Sequence, residues 1–506
     1  MGGQVSQLPA VPADFPFFTA TCRIYDKIVL IDANQQVIDV FRQCIAQYWP
    51  EGIQQEYFEN GAYFFKFKGN PFSKTTTKDT AVGIRLVCCK WLEGLQRYGW
   101  ELLASSDLSR TQDLTTWIFQ KNPQVDSFGA QPIVCVSISS WDKLQLINAP
   151  SYLNDTLREC VGPLLQSEEV ISSQAYQVKI HGTPWQNANF GECISSRHIL
   201  LEIFRRFSAL RYAFIGTCNV KGTADCMFFQ QKQDQAATQF GCLSLNRSDR
   251  LRLIELPSNL NDIVQGCVVQ CWPRGLQEIK PKPESNCHEL KLSGYPWHCY
   301  WDDACCSRLM LTSIMQSLLA NGWAVHTALD ISRRPNDKAV FILRSCTPYS
   351  LPHFALSPGD SDKLRLINAP ADVQQVVATV ITQQWTQGVQ RENPVAGGYE
   401  WKLRGNPWSP WGSGNDWAVA RHMLCIMLAQ LAPMGWRLIC SADVSSRYVH
   451  QENGPDYPLD VHTMFFVRTG GEPSQPASAA TASAPHVGVE DAFPDAPPSY
   501  EQAVKN

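Results

Sequence analysis

Hydrophobic and polar positions along this chain repeat one long pattern four times. Each copy carries a charged pair followed by an aliphatic run: Asp26-Lys27-Ile28-Val29-Leu30-Ile31, Asp142-Lys143-Leu144-Gln145-Leu146-Ile147, Asp249-Arg250-Leu251-Arg252-Leu253-Ile254 and Asp362-Lys363-Leu364-Arg365-Leu366-Ile367. A short run this rich in Val, Ile and Leu predicts a strand. Successive copies begin 116, 107 and 113 residues apart. That spacing is the size of a domain, so the copies are tandem domains rather than turns of a solenoid.

The same parts return in the same order within each copy. A short strand such as Cys242-Leu243-Ser244-Leu245 precedes the aliphatic run, with polar turn residues between, as in a hairpin. A helix follows; over 373–385, Val373, Val376, Val377, Val380 and Ile381 fall at helical spacing. It stops at a glycine suited to a left-handed cap, Gly52, Gly275 or Gly388. An alternating strand, Tyr399-Glu400-Trp401-Lys402-Leu403-Arg404 in copy four, then runs into a fixed bend. That bend reads Gly69-Asn70-Pro71-Phe72, Gly182-Thr183-Pro184-Trp185, Gly294-Tyr295-Pro296-Trp297 and Gly405-Asn406-Pro407-Trp408. A second helix, clearest over 418–431, ends near Gly99-Trp100, Gly322-Trp323 and Gly435-Trp436, where copy two shows Tyr212-Ala213 and has lost the motif. Two closing strands complete the unit, and copy four has a longer loop between them.

The order predicts an α+β fold of roughly ββαβαββ, an antiparallel sheet with two helices packed on it. The copies span 17–122, 133–232, 240–347 and 353–469, after a flexible segment 1–16. From residue 470 to 506 the composition turns to Gly, Pro, Ser and Ala, which predicts a disordered tail.

Composition narrows the classes of function. Net charge is −4 with no basic tract, which argues against nucleic acid as partner. No apolar run approaches membrane-spanning length, and no charged-then-apolar leader opens the chain. Nineteen cysteines, none in a C-x-x-C pair and many inside apolar runs, predict buried free thiols rather than a disulfide framework.

Candidate chemistry is sparse. An arginine recurs in the second helix (Arg85, Arg197, Arg308, Arg421) and an acid recurs after the Gly-Trp strand (Asp107, Asp330, Asp443, with Asn219 in copy two). Such a set is either an anion site or an Arg–Asp pair that fixes helix to sheet. Its presence in every copy favours the structural pair, Arg85 with Asp107, Arg308 with Asp330 and Arg421 with Asp443. Copy three holds Cys287-His288, His298-Cys299 and Cys305-Cys306, but adjacent strand residues face opposite ways, so no metal site is predicted. No nucleophile elbow, phosphate loop or His-Glu-x-x-His occurs; no catalytic residue and no cofactor are nominated. His198 and His422, each next to the repeated arginine, read as tolerated helix residues. The bend tryptophans read as core wedges.

The two ends carry most of the functional signal. Met1-Gly2-Gly3-Gln4-Val5-Ser6 fits the N-myristoylation pattern, with Gly2 as acceptor. One such chain binds membranes weakly, and the candidate second signals are Phe15, Phe17 and Phe18 or S-acylation of Cys22. At the other end, Ala496-Pro497-Pro498-Ser499-Tyr500-Glu501 resembles the PY motifs bound by WW domains of HECT-type ubiquitin ligases. Pro497 and Pro498 preform polyproline II, and Tyr500 fills the adjoining pocket. The resemblance implies a WW-domain partner. The modules resemble eukaryotic repeat proteins with Gly-x-Pro-Trp and Gly-Trp motifs, a likeness that implies no activity. The expectation is a lipid-anchored adaptor on the cytosolic face of a membrane; the alternative is a ligand-binding or enzymatic protein with sites between modules.

Overall fold

The computed structural model describes residues 8–469, apart from 24, 74–75, 110–112, 123–130, 187–188, 222–223, 233–237, 300, 333–337, 410–414, 446–447, 452–453 and 459–460. Module 1 runs β1 (Phe17–Arg23), β2 (Lys27–Ile31), α1 (Gln35–Tyr48), β3 (Ile53–Glu59), β4 (Ala62–Phe67), α2 (Lys78–Gln96), β5 (Trp100–Ser106) and β6 (Asp113–Lys121). Module 2 repeats it as β7 (Ile133–Ser139), β8 (Lys143–Ile147), α3 (Tyr152–Val161), β9 (Leu165–Ser172), β10 (Ala175–Ile180), α4 (Phe190–Ala209), β11 (Tyr212–Cys218) and β12 (Cys226–Gln231). Module 3 comprises β13 (Phe240–Asn246), β14 (Arg250–Ile254), α5 (Asn259–Cys271), β15 (Leu276–Lys282), β16 (Cys287–Leu292), α6 (Trp301–Ala320), β17 (Trp323–Leu329) and β18 (Val340–Ser345). Module 4 comprises β19 (His353–Gly359), β20 (Lys363–Ile367), α7 (Ala371–Gln384), β21 (Val389–Val395), β22 (Gly398–Leu403), α8 (Asp416–Leu431), β23 (Trp436–Ala442), a hairpin β24 (Tyr448–Gln451) and β25 (Gly454–Pro458), and β26 (Thr463–Arg468).

Each module is thus ββαββαββ, with one strand more than the sequence predicted. Its six-stranded antiparallel sheet has the order β3-β4-β2-β1-β6-β5 in module 1, and the other three match it. The strand missed by the pattern is the outer edge: β3, β9, β15 and β21. Its residues are mostly polar and exposed, and Pro281 and Pro394 lie in it, so no hydrophobic alternation marked it. Proline and charge on an edge strand also discourage pairing with other chains.

Local chemistry explains the element ends. Asn34 accepts from the Val37 N–H at 3.0 Å to cap α1, and Asn189 caps α4 by accepting from the Glu192 N–H. The glycines expected to cap the first helices do take left-handed backbone, at φ +75°, +66° and +82° for Gly52, Gly275 and Gly388. They sit three residues past a tryptophan that ends the helix, in a turn closed onto the Trp49, Trp272 and Trp385 carbonyls. In copy two, the Gly-Trp corner is kept rather than lost: Arg211 takes the positive φ of +63° and Tyr212 is buried in the tryptophan's place. The bend residues Phe72, Trp185, Trp297 and Trp408 are all buried.

The four modules close on one another. Helix α2 packs on β7 of module 2, α4 on β13 of module 3, α6 on β19 of module 4, and α8 returns to β1 of module 1. Every pair of helices is therefore sandwiched between its own sheet and the next, and the central strands of each sheet are buried on both faces. In β2, Ile28 and Leu30 face α1 and α2, while Val29 and Ile31 join Val377 and Met423 of module 4. This is why the aliphatic runs are nearly continuous instead of alternating. It also explains α8. With its following turn it forms a helix, Asp416–Met434, apolar and long enough to cross a membrane by composition, contrary to the sequence reading; 67% of it is buried between two sheets.

Candidate functional site

The residues singled out in the sequence fall at the seams between modules. Arg85, Arg197, Arg308 and Arg421 are all buried, at 4%, 0%, 1% and 0% exposure. Arg421 Nε donates to the hydroxyls of Thr21 (3.1 Å) and Thr116 (3.3 Å) in module 1. Arg197 Nε donates to Ser244 Oγ of module 3 at 3.0 Å, and Arg85 Nε to Cys226 Sγ of module 2 at 3.2 Å. In three copies the guanidinium also turns back to the carbonyl four residues earlier, that of Ala81, Ala304 or Trp417. The arginine is held by its own helix and aimed into the neighbour's sheet.

The acids take a different post. Asp107, Asp330 and Asp443 accept through Oδ1 from the N–H two residues on, of Ser109, Ser332 and Ser445. They cap a turn at the end of β5, β17 and β23, a signal present in the sequence as Asp-x-Ser. Their carbonyls accept from the preceding module: Asp107 from His462 N–H, Asp330 from Asp225 N–H and Asp443 from Ala339 N–H. Among the described residues, the contacts of these arginines and acids run between modules, within a helix or within a turn, and the Arg–Asp pair within one copy that the sequence suggested is not among them.

Two histidines read as tolerated are seam residues. His422 on α8 faces Asp32 of module 1 at 2.8 Å, with side chains 2% and 3% exposed. His198 on α4 pairs in the same way with Glu255 of module 3, which also meets Arg205. At the other two seams the helix position is Leu86 or Leu309 and the strand-end position is Asn148 or Asn368. Asn148 donates to the Ile133 carbonyl and Asn368 to that of His353, each at 2.8 Å. Seams of two kinds thus alternate round the ring. The signal was in the sequence: the residue after each aliphatic run is Asp32, Asn148, Glu255 or Asn368.

All nineteen cysteines are unpaired and sixteen are buried. Cys135 and Cys226 lie near Arg85 at the first seam, and burial pushes the Cys135 thiol well above its ordinary range. Among the described residues no group of His, Cys, Asp or Glu converges to hold a metal. Cys287 is buried and His288 half-buried on β16, on opposite faces.

A large cavity lies where the inner edge strands of all four modules meet. β5 lies against β11 and β23, and β17 lies against β23. His326 completes the wall with a ring contact to Phe214 at 5.3 Å. Its volume is about 810 Å³, within the range of small-molecule sites. Burial and the nearby Arg344 charge push His326 down to about 3, so it is neutral at pH 7.

The candidate residues at the two ends, Gly2 and Pro497, Pro498 and Tyr500, lie outside the described residues. The proposed membrane-inserting Phe17 and Phe18 and the acylation candidate Cys22 are buried in β1, which removes them from those roles; Phe15 is half-buried.

A single protein-family model matches the chain four times, over residues 16–120, 132–235, 239–344 and 352–467. The chain therefore belongs to that family of repeated domains, as a tandem array of four. No curated protein and no solved structure shows a significant match.

Proposed function

We propose that this protein is a membrane-associated, non-enzymatic adaptor in which the four-module ring is the platform and the two chain ends carry the recruitment signals. The observation that carries this reading is Pro497-Pro498-Ser499-Tyr500 near the end of a Pro-, Ala- and Ser-rich tail. A polyproline II dipeptide followed by tyrosine fits the aromatic groove of a WW domain at low entropic cost. The partner on this reading is a WW-domain protein of the HECT-type ubiquitin ligase class.

The N-terminal acyl signal fits the same picture. Leu8 packs against the Asn60-Gly61 turn, and its N–H donates to the Asn60 carbonyl. An acyl group on Gly2 would hang from six residues of chain beyond that anchor, within about 20 Å of it. With Phe17, Phe18 and Cys22 buried, a single acyl chain supplies the membrane affinity, on the order of 10⁴ M⁻¹, so residence is partial and reversible.

The test is affinity capture from cells with the wild type and Tyr500→Ala. A HECT-type ligase should be recovered with the wild type and lost with the variant, while other partners stay. Equal recovery of the ligase with both would overturn the adaptor reading.

A further inference from the structure

Each of the four inner edge strands contains a β-bulge at one register position. The irregularity falls between Leu102 and Ala104 in β5, Phe214 and Gly216 in β11, Val325 and Thr327 in β17, and Leu438 and Cys440 in β23. The inserted residues are Leu103, Ile215, His326 and Ile439, and all four line the axial cavity half-buried. A bulge re-aims a side chain, and four at one level build a collar. Three of its members are branched aliphatics. The fourth, His326, behaves as an aromatic among Phe204, Phe214 and Phe240, with ring centroids 5.3–5.8 Å away.

The levels on either side differ in kind. Two residues beyond the collar, Ser105 is half-buried and Thr217 and Ser441 are buried. Ser105 shares a hydrogen bond with Thr115 (2.6 Å) and Ser441 donates to Ser106 (2.8 Å), so these hydroxyls already have protein partners. Two residues before the collar stand Glu101 with its cross-strand neighbour Gln120, and Arg437; Arg344 lies across from Ala324 at the same level. Arg344 and Arg437 are exposed, and neither has an ion-pair partner among the described residues. The Glu101 carboxylate accepts from Asn122 at 3.0 Å. From the arginine level to the hydroxyl level is about 13 Å, four residues of strand.

We propose that this cavity binds a single-chain amphipathic anion, with its apolar chain inside the Leu103–Ile215–His326–Ile439 collar and its carboxylate or phosphate head on Arg344 and Arg437. Three half-exposed branched aliphatic side chains gathered at one level of a cavity call for an apolar occupant. The two unengaged guanidiniums at the mouth select an anionic end over a neutral one. The site draws on all four modules, so it exists only in the closed ring. This inference stands apart from the adaptor reading, and either holds if the other fails.

The experiment is equilibrium dialysis of the full chain against radiolabelled palmitate, palmitoyl lysophosphatidate, hexadecanol and inorganic phosphate. Saturable binding of palmitate or of palmitoyl lysophosphatidate near one per chain is expected, the tighter of the two identifying the head group. Arg344→Gln with Arg437→Gln should weaken the anions by roughly tenfold and leave hexadecanol unchanged. Ile439→Trp fills the collar and should abolish binding of every chain-bearing probe; Leu103→Trp is the second filling variant should the first not fold. Absence of saturable binding by either anion would overturn the proposal. So would binding of phosphate alone, or anion binding that both folded filling variants retain.

Discussion

The alternation of seams allows a test in which the molecule provides its own control. Replacing His422 by Leu reproduces one half of the seams at Leu86 and Leu309, and replacing Asp32 by Asn reproduces the other half at Asn148 and Asn368. The single change His422→Leu leaves the Asp32 carboxylate, 3% exposed, without its imidazole. Breaking one side of a buried pair costs about 3–5 kcal/mol. Asp32→Asn alone removes the charge and leaves His422 facing an amide, a milder loss of about 1–2 kcal/mol. The double variant completes a seam of the other kind. Position 32 has a left-handed φ of +60°, matching +57° at Asn148 and +58° at Asn368, and Asn tolerates that conformation well. Its amide would also stand where it can donate to the Phe17 carbonyl, the counterpart of Ile133 and His353. The double variant should therefore lie within about 1 kcal/mol of wild type, giving a coupling of roughly 3 kcal/mol or more. Urea unfolding of the four proteins at fixed pH supplies the cycle. If the two single effects add to the double within about 0.5 kcal/mol, the seam-exchange argument is wrong.

Three further outcomes can be measured. Burial holds His353 and His462 down to about 4, so the folded chain refuses protons that the unfolded chain takes up near pH 6.5; stability should fall from pH 6.5 to 4 by up to about 3 kcal/mol per histidine. Burial has the opposite sign at Asp225, pushed up to about 7; Asp225→Asn should stabilise above pH 7 by about 2–4 kcal/mol and have no effect near pH 4, and a thermal-melting profile with the reverse slope would refute the assignment. Because α8 docks on β1 as α2 docks on β7, a permutant that begins at residue 131 and joins residue 469 to residue 16 through a linker of about ten residues should fold and melt within a few degrees of wild type. A permutant that is soluble but lacks cooperative melting would show that seam 4/1 is not equivalent to the others.

The repeat and its parts were legible because they rest on local physics. Aliphatic runs make strands, and Gly-x-Pro-aromatic makes a bend whose ring is buried. The outer strands were missed because β15 and β21 spend most of their residues on solvent and carry Pro281 and Pro394. Closure of the ring left a readable trace that was passed over: Ile28-Val29-Leu30-Ile31 is apolar on both faces, more than one helical layer needs. The hydrogen bonds of the recurring arginines run to Thr21, Ser244 and Cys226, hundreds or dozens of positions away in sequence, and no local pattern encodes such a partner. The bulges that build the axial collar escaped for the same reason. Each adds one residue to a strand whose hydrophobicity looks regular.

Alternation of the seams also bears on why there are four modules. A head-to-tail interface closes into a ring only when the rotation per step divides the circle. Here the geometry permits four steps, and seam chemistry adds a second condition. A helix bearing His198 or His422 matches a strand end bearing an acid; a helix bearing Leu86 or Leu309 matches one bearing Asn. Docking a leucine helix on Asp32 would bury a lone carboxylate, and docking a histidine helix on Asn148 would forfeit the pair. Modules of the two kinds must therefore follow one another in strict alternation, which only an even number can satisfy on closure. Omitting one module would break the rotation and leave one mismatched seam. Seam matching thus acts against wrong assembly as well as in favour of the right one, and it keeps β5, β11, β17 and β23 in the single arrangement that encloses the axial cavity.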